Sequence, residues 1–327
     1  MFDTKDHKII AALSSTDSYL SGNQLGDLLG MSRVAIGKRL RVMQAAGLPV
    51  ETKAATGYRL QKGFTPLNQD SILQLLNQST ISKLAKSKVH IVMDSTNSQI
   101  ESIFLNAGQT GFVTTEVQNL GKGRRSNNWI STPFQNIMLS LAWQFPVWPT
   151  DITAFSLATG VMVADVLGNL GVKGLQLKWP NDLYLNGAKI GGILINIKGD
   201  SGAEVRLNCG IGLNIKISAK DQQAIDQECT DLYTAGHKNL NRNHLIADLV
   251  NNWVNLCEQF QSYGFAPYSE RWHSLHLFQN CDVIATKGRL QVVGRVTGVD
   301  AQGSLVIKNS NLEEARIVDP EYSLRLV

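Results

Sequence analysis

The sequence has few cysteines, and their spacing excludes the usual cysteine-based sites. The four cysteines are Cys209, Cys229, Cys257 and Cys281. They form no C-x-x-C pair, so they indicate neither a zinc site nor a redox motif, and we expect buried free thiols in a reducing compartment. His273 and His276 lie close together, but no carboxylate or thiol motif joins them. We therefore predict no metal site made of protein side chains alone.

Other missing motifs each disfavour a class of protein. The sequence shows no charged-then-apolar leader and no uninterrupted apolar run of membrane length. We therefore expect a soluble cytoplasmic protein that does not engage a membrane. The sequence also lacks the G-x-x-x-x-G-K-S/T motif, which argues against a P-loop nucleotide-binding protein.

Charge is spread unevenly along the chain. The 327 residues include 31 Lys or Arg and 27 Asp or Glu. Residues 1–66 carry nine of the basic and five of the acidic residues, which leaves 22 of each in the remainder. The whole formal excess of +4 therefore lies in the first fifth of the chain. This asymmetry predicts a small basic module attached to a neutral body.

The basic segment has the pattern of a winged helix-turn-helix. A first helix is predicted over residues 5–16, and Ser21–Gly30 has the cap and the terminal glycine of a short second helix. Met31-Ser32 then opens a third helix that runs to Met43, and two strands follow at 47–52 and 57–60. In such modules this last helix enters the major groove of DNA. A three-helix protein-interaction module with a solvated basic face is the alternative.

The predicted recognition helix has an inward and an outward face. The residues expected to pack inward are Val34, Ile36, Leu40 and Met43. The residues expected to face outward and to contact DNA are Ser32, Arg33, Lys38, Arg39 and Arg41. The four cations suit phosphate oxygens or base edges, and the serine lies at the start of the helix.

A glycine-rich basic loop, Gly121–Arg125, follows the strand-like run Phe112–Val117. Gly121 and Gly123 permit unusual backbone dihedrals, and three cations accompany them, as expected of a loop that folds around a polyanion. The loop is not a dinucleotide fingerprint, because a third small residue is missing and Asn127–Pro133 has the composition of a loop. A solvated basic loop is the alternative.

A second motif, Lys178–Asp182, leads into a predicted β-hairpin. Asn186-Gly187 is the preferred pair for a type I′ turn. The pairs that a two-residue turn predicts are Leu185 with Ala188, Tyr184 with Lys189, and Leu183 with Ile190. The residues expected on the core face are Leu183, Leu185, Ala188 and Ile190. Asp182 and Lys189 then become diagonal neighbours on the other face. A surface salt bridge would explain this pattern, and so would a lysine aimed at a phosphate or carboxylate.

The residues that follow the basic module have a less regular pattern. A helix is predicted at Asp70–Leu76 and a strand at Val89–Met93. Asp94–Ser98 follows as a polar turn, and then a helix that includes Ile100–Leu105. The polar turn suits either helix capping or a polar ligand group. A long apolar helix, Ile152–Leu170, is expected to cover one side of the sheet.

In this order, the motifs resemble one family, the biotin–protein ligases, and specifically the bifunctional kind that also represses biotin synthesis. The resemblance covers nearly the whole chain. Its motifs are the helix-turn-helix Ser21–Gly47, Asp94–Asn97, Gln118, Gly121–Arg125, Trp129, Lys178–Leu183, Lys189 with Gly192–Leu194, and Gly210–Asn214. One departure is Lys122, which stands where the best-known pattern has arginine and which keeps the charge without the bidentate fork.

The resemblance implies an α+β fold of three domains. These are a winged helix-turn-helix DNA-binding domain at 1–64, a biotin- and ATP-binding catalytic domain at 65–275, and a C-terminal domain at 276–327. The catalytic domain would be a class II synthetase-like mixed sheet with helices, and the last domain an SH3-like β-barrel.

The resemblance also implies a reaction in two steps that uses ATP, biotin and Mg²⁺. Biotin and ATP give biotinyl-5′-AMP, and a lysine of the biotin carboxyl carrier protein of acetyl-CoA carboxylase then takes the biotinyl group. The implied catalytic residues are Lys122, Arg124, Asp182 and Lys189. The implied biotin- and adenylate-binding residues are Ser95, Thr96, Asn97, Gln118, Gly121, Lys122, Gly123, Arg124, Arg125, Trp129, Asn181, Lys189 and Asn214.

Regulation is the last implication of the resemblance. The adenylate-bound protein would form a homodimer and bind the operator DNA of biotin-synthesis genes. Two alternatives stand beside the ligase hypothesis. One is a transcription factor that senses a ligand without catalysis, although mere sensing does not need the cations Lys122, Arg124 and Lys189. The other is a relative of the lipoate–protein ligases, whose members usually lack the N-terminal helix-turn-helix.

Overall fold

A computed structural model describes residues 2–199 and 203–327 of the chain. Helices and strands are mixed, and the strands form sheets of two, seven and five strands. The two-stranded sheet belongs to the N-terminal module, the seven-stranded sheet to the middle of the chain, and the five-stranded sheet to the C-terminal part. The expected α+β class is therefore confirmed.

The N-terminal module is a helix-turn-helix followed by a two-stranded wing. Its elements are α1 (Thr4–Ser14), α2 (Gly22–Leu29), α3 (Arg33–Ala45), β1 (Val50–Lys53) and β2 (Gly57–Leu60). Ser21 and Gln24 form a capping box at the start of α2, and Gly30 ends that helix with φ +63°. A left-handed residue at this position favours glycine, as the sequence predicted.

One expectation for α3 is wrong. Ile36, Leu40 and Met43 are buried, but Val34 is 77% exposed. The helical period explains the difference. Residues 36, 40 and 43 follow a spacing of four and three and share one face, whereas residue 34 lies two positions before that face and points away from it. The apolar character of Val34 alone suggested an inward position.

A linker with two short helices connects the module to the central sheet. The helices are α4 (Gln69–Gln74) and α5 (Gln78–Lys83), and the first strand of the sheet is β3 (Leu84–Met93). The sequence predicted only the first helix. The second begins at Asn77, whose side chain accepts a hydrogen bond of 2.7 Å from the amide of Thr80. This is an ordinary N-cap that the sequence contained.

The central sheet has the strand order β3-β4-β5-β9-β8-β7-β6. Its other strands are β4 (Thr110–Gln118), β5 (Ile137–Phe145), β6 (Leu175–Lys178), β7 (Asp182–Leu185), β8 (Ala188–Lys198) and β9 (Val205–Leu213). Strands β3 and β4 are parallel, and the remaining pairs are antiparallel. This order brings the ends of β4, β5, β8 and β9 to one region, where the site lies.

Helices pack on the central sheet. They are α6 (Thr96–Ile100), α7 (Phe155–Asn169), α9 (Arg242–Tyr263) and α10 (Ala266–Leu275), whereas the short helix α8 (Ala219–Ala224) buries none of its residues. Phe155 of α7 lies 4.7 Å from Phe260 and 5.6 Å from Trp253 of α9, measured between ring centroids. The stretch Ile152–Asn169 is long and apolar enough to cross a membrane, but 72% of it is buried inside the protein. It is therefore part of the core.

Two predicted helices have different bounds in the structure. Helix α6 ends at Ile100 rather than continuing through Leu105, and Phe104 is exposed. Ile100, Ile103 and Leu105 nevertheless share a small buried cluster. Burial of these side chains produced the helix-like pattern without a helix. The long helix expected from Ile152 begins with a short 3₁₀ turn, so α7 itself starts at Phe155.

The C-terminal part forms an antiparallel sheet. Its strands are β10 (Asp282–Lys287), β11 (Leu290–Val299), β12 (Leu305–Lys308), β13 (Glu314–Ile317) and β14 (Ser323–Leu326). Their order is β13-β12-β11-β10-β14. The buried side chains of this sheet belong to the same hydrophobic core as those of the central sheet. The C-terminal part is therefore built of β-strands.

A buried ion pair ties the linker to the central sheet. Arg242 of α9 donates to both carboxylate oxygens of Glu116 on β4, at 2.6 and 3.1 Å. The same guanidinium donates to the carbonyl of Thr65, and Glu116 accepts from the amide of Leu67. The side chains are only 6% and 3% exposed. Breaking such a pair leaves one buried charge without compensation.

We expect Glu116→Gln to lower the free energy of unfolding by about 3–5 kcal/mol, because Arg242 keeps its buried charge and loses its partner. Urea denaturation measures the change. The control is Asp165→Asn, which breaks an exposed pair with Arg271 in which the side chains are 47% and 50% exposed. That control should cost less than about 1 kcal/mol. Equal losses in the two variants would contradict the structural role of the buried pair.

Candidate active site

Three cavities meet around the indole of Trp129. The first, of about 270 Å³, is lined by Arg124, Lys178, Asp182 and Lys189 among others. The second, of about 330 Å³, extends from the same indole towards Asn214 and residues 224–229. The third is a narrow inner cavity of about 40 Å³ below the indole. Trp129 lines all three, so the loop that carries it divides the site.

Polar side chains at the start of α6 line the inner cavity. The backbone amide and the hydroxyl of Thr96 both donate to the side-chain oxygen of Gln118, at 2.9 and 3.2 Å. The hydroxyl of Ser140 donates to that of Thr96 at 2.8 Å. Ser95 caps the helix by accepting from the amide of Ser98. The turn therefore serves as a cap, as one interpretation of the sequence predicted, and it also places polar groups on a cavity wall.

An unsatisfied amide lies beside this polar network. Asn97 is buried, and its side-chain oxygen accepts from Asn196 at 3.3 Å. Its side-chain nitrogen has no hydrogen-bond partner among the described residues. An added Cβ at Gly210 would lie 3.3 Å from that nitrogen. A buried donor without a partner costs free energy unless a bound molecule supplies the acceptor.

The glycine-rich loop folds back on itself. The amide of Trp129 donates to the carbonyl of Gly121 at 2.9 Å. The backbones of Lys122 and Asn128 form an isolated antiparallel β-bridge. An added Cβ at Gly121 would lie only 2.3 Å from the carbonyl oxygen of Trp129, so this close approach requires glycine. The ammonium of Lys122 donates to the hydroxyl of Ser98 at 2.9 Å. The loop is thus connected to the start of α6.

The two arginines of the loop donate hydrogen bonds to the turn that precedes β14. Arg124 donates to the side-chain oxygen of Asn181 at 2.7 Å and to the carbonyl of Pro320. Arg125 donates to the carbonyl of Glu321. Burial lowers the pKa of Arg124, and the neighbouring Arg125 lowers it further. The sequence carried no signal for the contacts with Pro320 and Glu321, because these partners are backbone groups far along the chain.

Trp129 packs directly on two strands at glycine positions. An added Cβ at Gly212 of β9 would lie 2.5 Å from the indole ring, and one at Gly192 of β8 would lie 3.4 Å from it. The ammonium of Lys189 lies 6.0 Å from the ring centroid. The indole nitrogen is buried and has no partner among the described residues. The glycines of β8 and β9 therefore make the space that the indole fills.

The β7–β8 hairpin has the predicted turn but a shifted register. Asn186 and Gly187 both have positive φ, and Tyr184 pairs with Lys189 as expected. Leu183, however, pairs with Gly191 instead of Ile190, because a bulge interrupts the register. Leu183 and Ile190 are nonetheless both fully buried. The prediction for the third pair is wrong, since alternation alone does not reveal an inserted residue.

Asp182 and Lys189 form an ion pair across this hairpin. The ammonium nitrogen of Lys189 lies 2.8 Å from a carboxylate oxygen of Asp182. The side chains are 14% and 22% exposed, so this is a half-buried pair at the cavity and not a surface salt bridge. The lysine lines both larger cavities, so it can also meet a phosphate or carboxylate.

Lys178 is a further cation of the first cavity that the sequence motif contained but the predicted site did not. Its ammonium lies 5.6 Å from the ring centroid of Tyr184 and 5.3 Å from that of Phe278. Burial lowers the pKa of Lys178, and the nearby Lys189 acts in the same direction, while Asp182 opposes both. Burial also raises the pKa of Tyr184 to about 12, which keeps this phenol neutral.

Two asparagines complete the walls. Asn181 donates from its side chain to the carbonyl of Ile193 at 2.8 Å, so its oxygen points towards Arg124. Asn214 donates from its side chain to the carbonyl of Thr230 at 3.3 Å. The side-chain oxygen of Asn214 is buried without a partner among the described residues, and this residue lines the second cavity. It is therefore an acceptor available to a ligand.

The predicted site residues of the central domain therefore lie together. Residues that sequence reasoning missed are Ser140, Lys178, Gln227 and Tyr322. Ser140 lies within an apolar strand, and Tyr322 directly precedes β14 of the C-terminal sheet, so neither had a local signal. The first cavity concentrates cations around one carboxylate, Asp182, among its lining residues. Such a site suits a polyanion.

The basic side chains of the N-terminal module are not equivalent. Ser32 caps α3 by accepting from the amide of Ala35 at 3.2 Å. Arg33, Lys38 and Arg41 are exposed, as expected. Arg39 instead pairs with Asp3 and Asp6 of α1, at 2.9 and 2.8 Å. Its side chain is still 27% exposed, but two carboxylates at the start of α1 already hold its guanidinium.

Comparison with known proteins adds independent evidence. Residues 89–214 match the model of the biotin/lipoate A/B protein ligase family, and residues 5–59 match that of a helix-turn-helix domain. The chain is 34% identical to the bifunctional ligase/repressor BirA of Escherichia coli, over 97% of this chain and 96% of that protein. It is 32% identical to the BirA of Salmonella typhimurium, over 99% of both.

A solved structure supports the fold. The biotin protein ligase from Aquifex aeolicus in complex with biotin and ATP matches with a TM-score of 0.61 and 22% identity, over 75% of this chain and 99% of that one. Near-full-length identity above 30%, a ligase-family sheet and a helix-turn-helix module agree with one another. The chain therefore belongs to the family of bifunctional ligase/repressors, which are biotin–protein ligases with an N-terminal helix-turn-helix repressor domain.

Proposed function

We propose that this protein forms biotinyl-5′-AMP from biotin and ATP in the cytoplasm. It then transfers the biotinyl group to a lysine of the biotin carboxyl carrier protein of acetyl-CoA carboxylase. The observation that carries the proposal is the meeting of three cavities at Trp129, with Lys189 between the two larger ones. One cavity is small and carries a few polar side chains, one is cationic, and one extends from the indole towards Asn214. These suit biotin, a phosphate chain and a purine in turn.

Biotin is assigned to the inner cavity. Ser95, Thr96 and Gln118 would hold its polar ureido and carboxyl ends, with Asn97 nearby. The oxygen of Gln118 already accepts two hydrogen bonds from Thr96, which fixes its orientation. The unpartnered nitrogen of Asn97 provides one further donor. A small set of fixed polar groups in a narrow cavity is the usual basis for recognising such a ligand.

The cations of the first cavity are assigned to the phosphates. The first step joins the biotin carboxylate to the α-phosphate, so negative charge concentrates where the new bond forms and pyrophosphate departs. Positioned cations therefore help more than an acid or base. Lys189 would bridge the carboxylate and the α-phosphate. Lys122, Arg124 and Arg125 would close over the adenylate, with Gly121 and Gly123 allowing the loop to bend.

ATP enters with Mg²⁺ as its counter-ion. No group of three or more His, Cys, Asp or Glu side chains suited to a metal occurs among the described residues. Asp182 is the carboxylate that the first cavity offers, and it is paired with Lys189. Mg²⁺ commonly binds substrate phosphates with one or two carboxylates and keeps several waters. We therefore treat it as part of the nucleotide substrate.

The second step needs a free amine on the acceptor lysine. That amine attacks the acyl carbon of the adenylate, and AMP departs. Asp182 is assigned to orient the acceptor lysine or to take its proton, since it is the carboxylate at the reacting centre. Trp129 would pack beside adenine, with Asn181 and Asn214 as polar contacts. The closed loop would also exclude water, which otherwise hydrolyses the mixed anhydride.

The ligase proposal predicts biotin-dependent exchange of pyrophosphate into ATP, and transfer of biotin to a purified carrier domain when Mg²⁺ is present. Radiolabelled pyrophosphate exchange measures the first step, and mass spectrometry of the carrier measures the second. Lipoate in place of biotin is the control and should support neither step. Folded protein that shows no biotin-dependent exchange would refute the proposal.

We expect Lys189→Ala to slow adenylate formation by about one to two decades, because a charge-assisted contact contributes about 1.5–3 kcal/mol. Stability should change little, since the side chain lies off the core and its removal opens no cavity. Lys198→Ala is the matched control. Lys198 lies on the same strand and forms an exposed pair with Glu101. Near-normal rates in Lys189→Ala, or similar losses in both variants, would refute the assigned role.

We also propose that the adenylate-bound protein dimerises and binds the operator of biotin-synthesis genes. Residues 1–64 would form the DNA-binding domain, residues 65–275 the catalytic domain, and residues 276–327 an SH3-like barrel. One such module contacts few base pairs, so useful specificity normally requires two half-sites. Ser32, Arg33, Lys38 and Arg41 are the proposed contacts. The reaction intermediate would then signal that the carrier protein is fully biotinylated.

The repressor proposal predicts that biotin and ATP together strengthen binding to the upstream region of the biotin-synthesis genes. Coupling between two ligand sites typically changes affinity about 5- to 150-fold. Fluorescence anisotropy at fixed ionic strength measures this change, with biotin alone and ATP alone as controls. Equally weak binding in every condition, without preference over random DNA, would show that the module does not act as a repressor.

A further inference from the structure

The recognition helix carries an exposed apolar side chain among its cations. Val34 is 77% exposed and lies one position after Arg33 and one turn before Lys38. Its neighbours Ile36 and Leu40 fill the core of the module without it. A single exposed valine is ordinary on most surfaces. At this position, however, it belongs to the part of the helix that would lie closest to DNA.

The N-terminal half of α3 is the half that reaches base edges in helix-turn-helix proteins. Val34 is the second residue of α3, two positions after the Ser32 cap. Arg33, Lys38 and Arg41 surround it with positive charge, which complements the phosphates on either side of a major groove. Val42 is also exposed, at 55%, but lies in the last turn of the helix.

The module holds α3 in a fixed orientation. At its middle, Arg39 pairs with Asp3 and Asp6 of α1. On another side, the phenol of Tyr58 from the wing lies 3.5 Å from the position of a Cβ at Gly37. The stem of Arg33 passes Gly22 of α2, where an added Cβ would lie 3.0 Å from it. With these contacts, Val34 would face the same point of a bound duplex each time.

The major groove offers one apolar group, the C5-methyl of thymine, and apolar side chains recognise it by direct contact. We propose that Val34 is a specificity-determining residue that contacts the C5-methyl of one thymine in each operator half-site. This inference rests on the proposed repressor function. The surrounding cations would supply affinity for any DNA, whereas Val34 would favour a thymine at one position.

The test removes the methyl group from the DNA. A library of random duplexes is first selected on the full-length protein in the presence of biotin and ATP. Each thymine of the selected duplex is then replaced in turn by deoxyuridine, which differs only by the missing methyl. We expect one position per half-site at which deoxyuridine weakens binding about fourfold, the effect of losing one buried methyl group.

Variants then connect that methyl group to Val34. Val34→Ala should bind the thymine duplex about fourfold more weakly and show no further loss with deoxyuridine. Val42→Ala is the matched control, as an equally small change on the same helix, and should keep the wild-type ratio. Melting temperatures should stay close to that of wild type, because both side chains are exposed. The wild-type scan tests the inference even if a variant folds poorly.

The outcomes separate the two proposals. Sequence-specific binding with no deoxyuridine-sensitive thymine would overturn the role of Val34 and leave the repressor function intact. A sensitive thymine that remains equally sensitive in Val34→Ala would assign the contact to another residue. No sequence-specific binding at all would overturn both proposals.

Discussion

The packing of one indole on two glycines determines the arrangement of the whole site. Trp129 can approach β9 only because Gly212 lacks a side chain, since a Cβ there would lie 2.5 Å from the ring, whereas a Cβ at Gly192 of β8 would lie at an ordinary contact distance of 3.4 Å. This contact brings the glycine-rich loop over the sheet and separates the inner cavity from the two larger ones. It also sets the indole beside Lys189. A loop rich in polar residues has little apolar surface, so this ring is its main hydrophobic attachment.

The residues that follow Trp129 pack against the N-terminal module. Phe134, a few residues after the indole, is fully buried in the hydrophobic core that contains α1 and α3. Its ring lies 6.3 Å from that of Phe64, and a Cβ at Gly47 would lie 2.8 Å from Pro133. A displacement of the loop must therefore either be absorbed between Trp129 and Pro133 or move the module. Close packing transmits small shifts of this kind because interiors have few voids.

Sequence predicted local features well and long-range partners poorly. Nearby residues were enough to predict the caps of α2 and α3, the turn at Asn186-Gly187 and the neighbouring positions of Asp182 and Lys189. The bulge that shifts Leu183 to Gly191 does not, because an inserted residue leaves the apolar pattern nearly unchanged. Charge alone likewise did not reveal that the guanidinium of Arg39 pairs with two carboxylates. Its orientation depends on carboxylates more than thirty residues away that only the fold brings close.

The cations of the site are stabilised by partners that a polyanion can replace. Arg124 and Arg125 donate to the neutral carbonyls of Pro320 and Glu321, and Lys178 lies against aromatic rings. Neutral carbonyl oxygens accept hydrogen bonds from a guanidinium but bind it less strongly than a charged phosphate oxygen does. Burial lowers the pKa of both Arg124 and Lys178, and neighbouring cations lower them further. A ligand that brings negative charge would favour the charged form of both side chains.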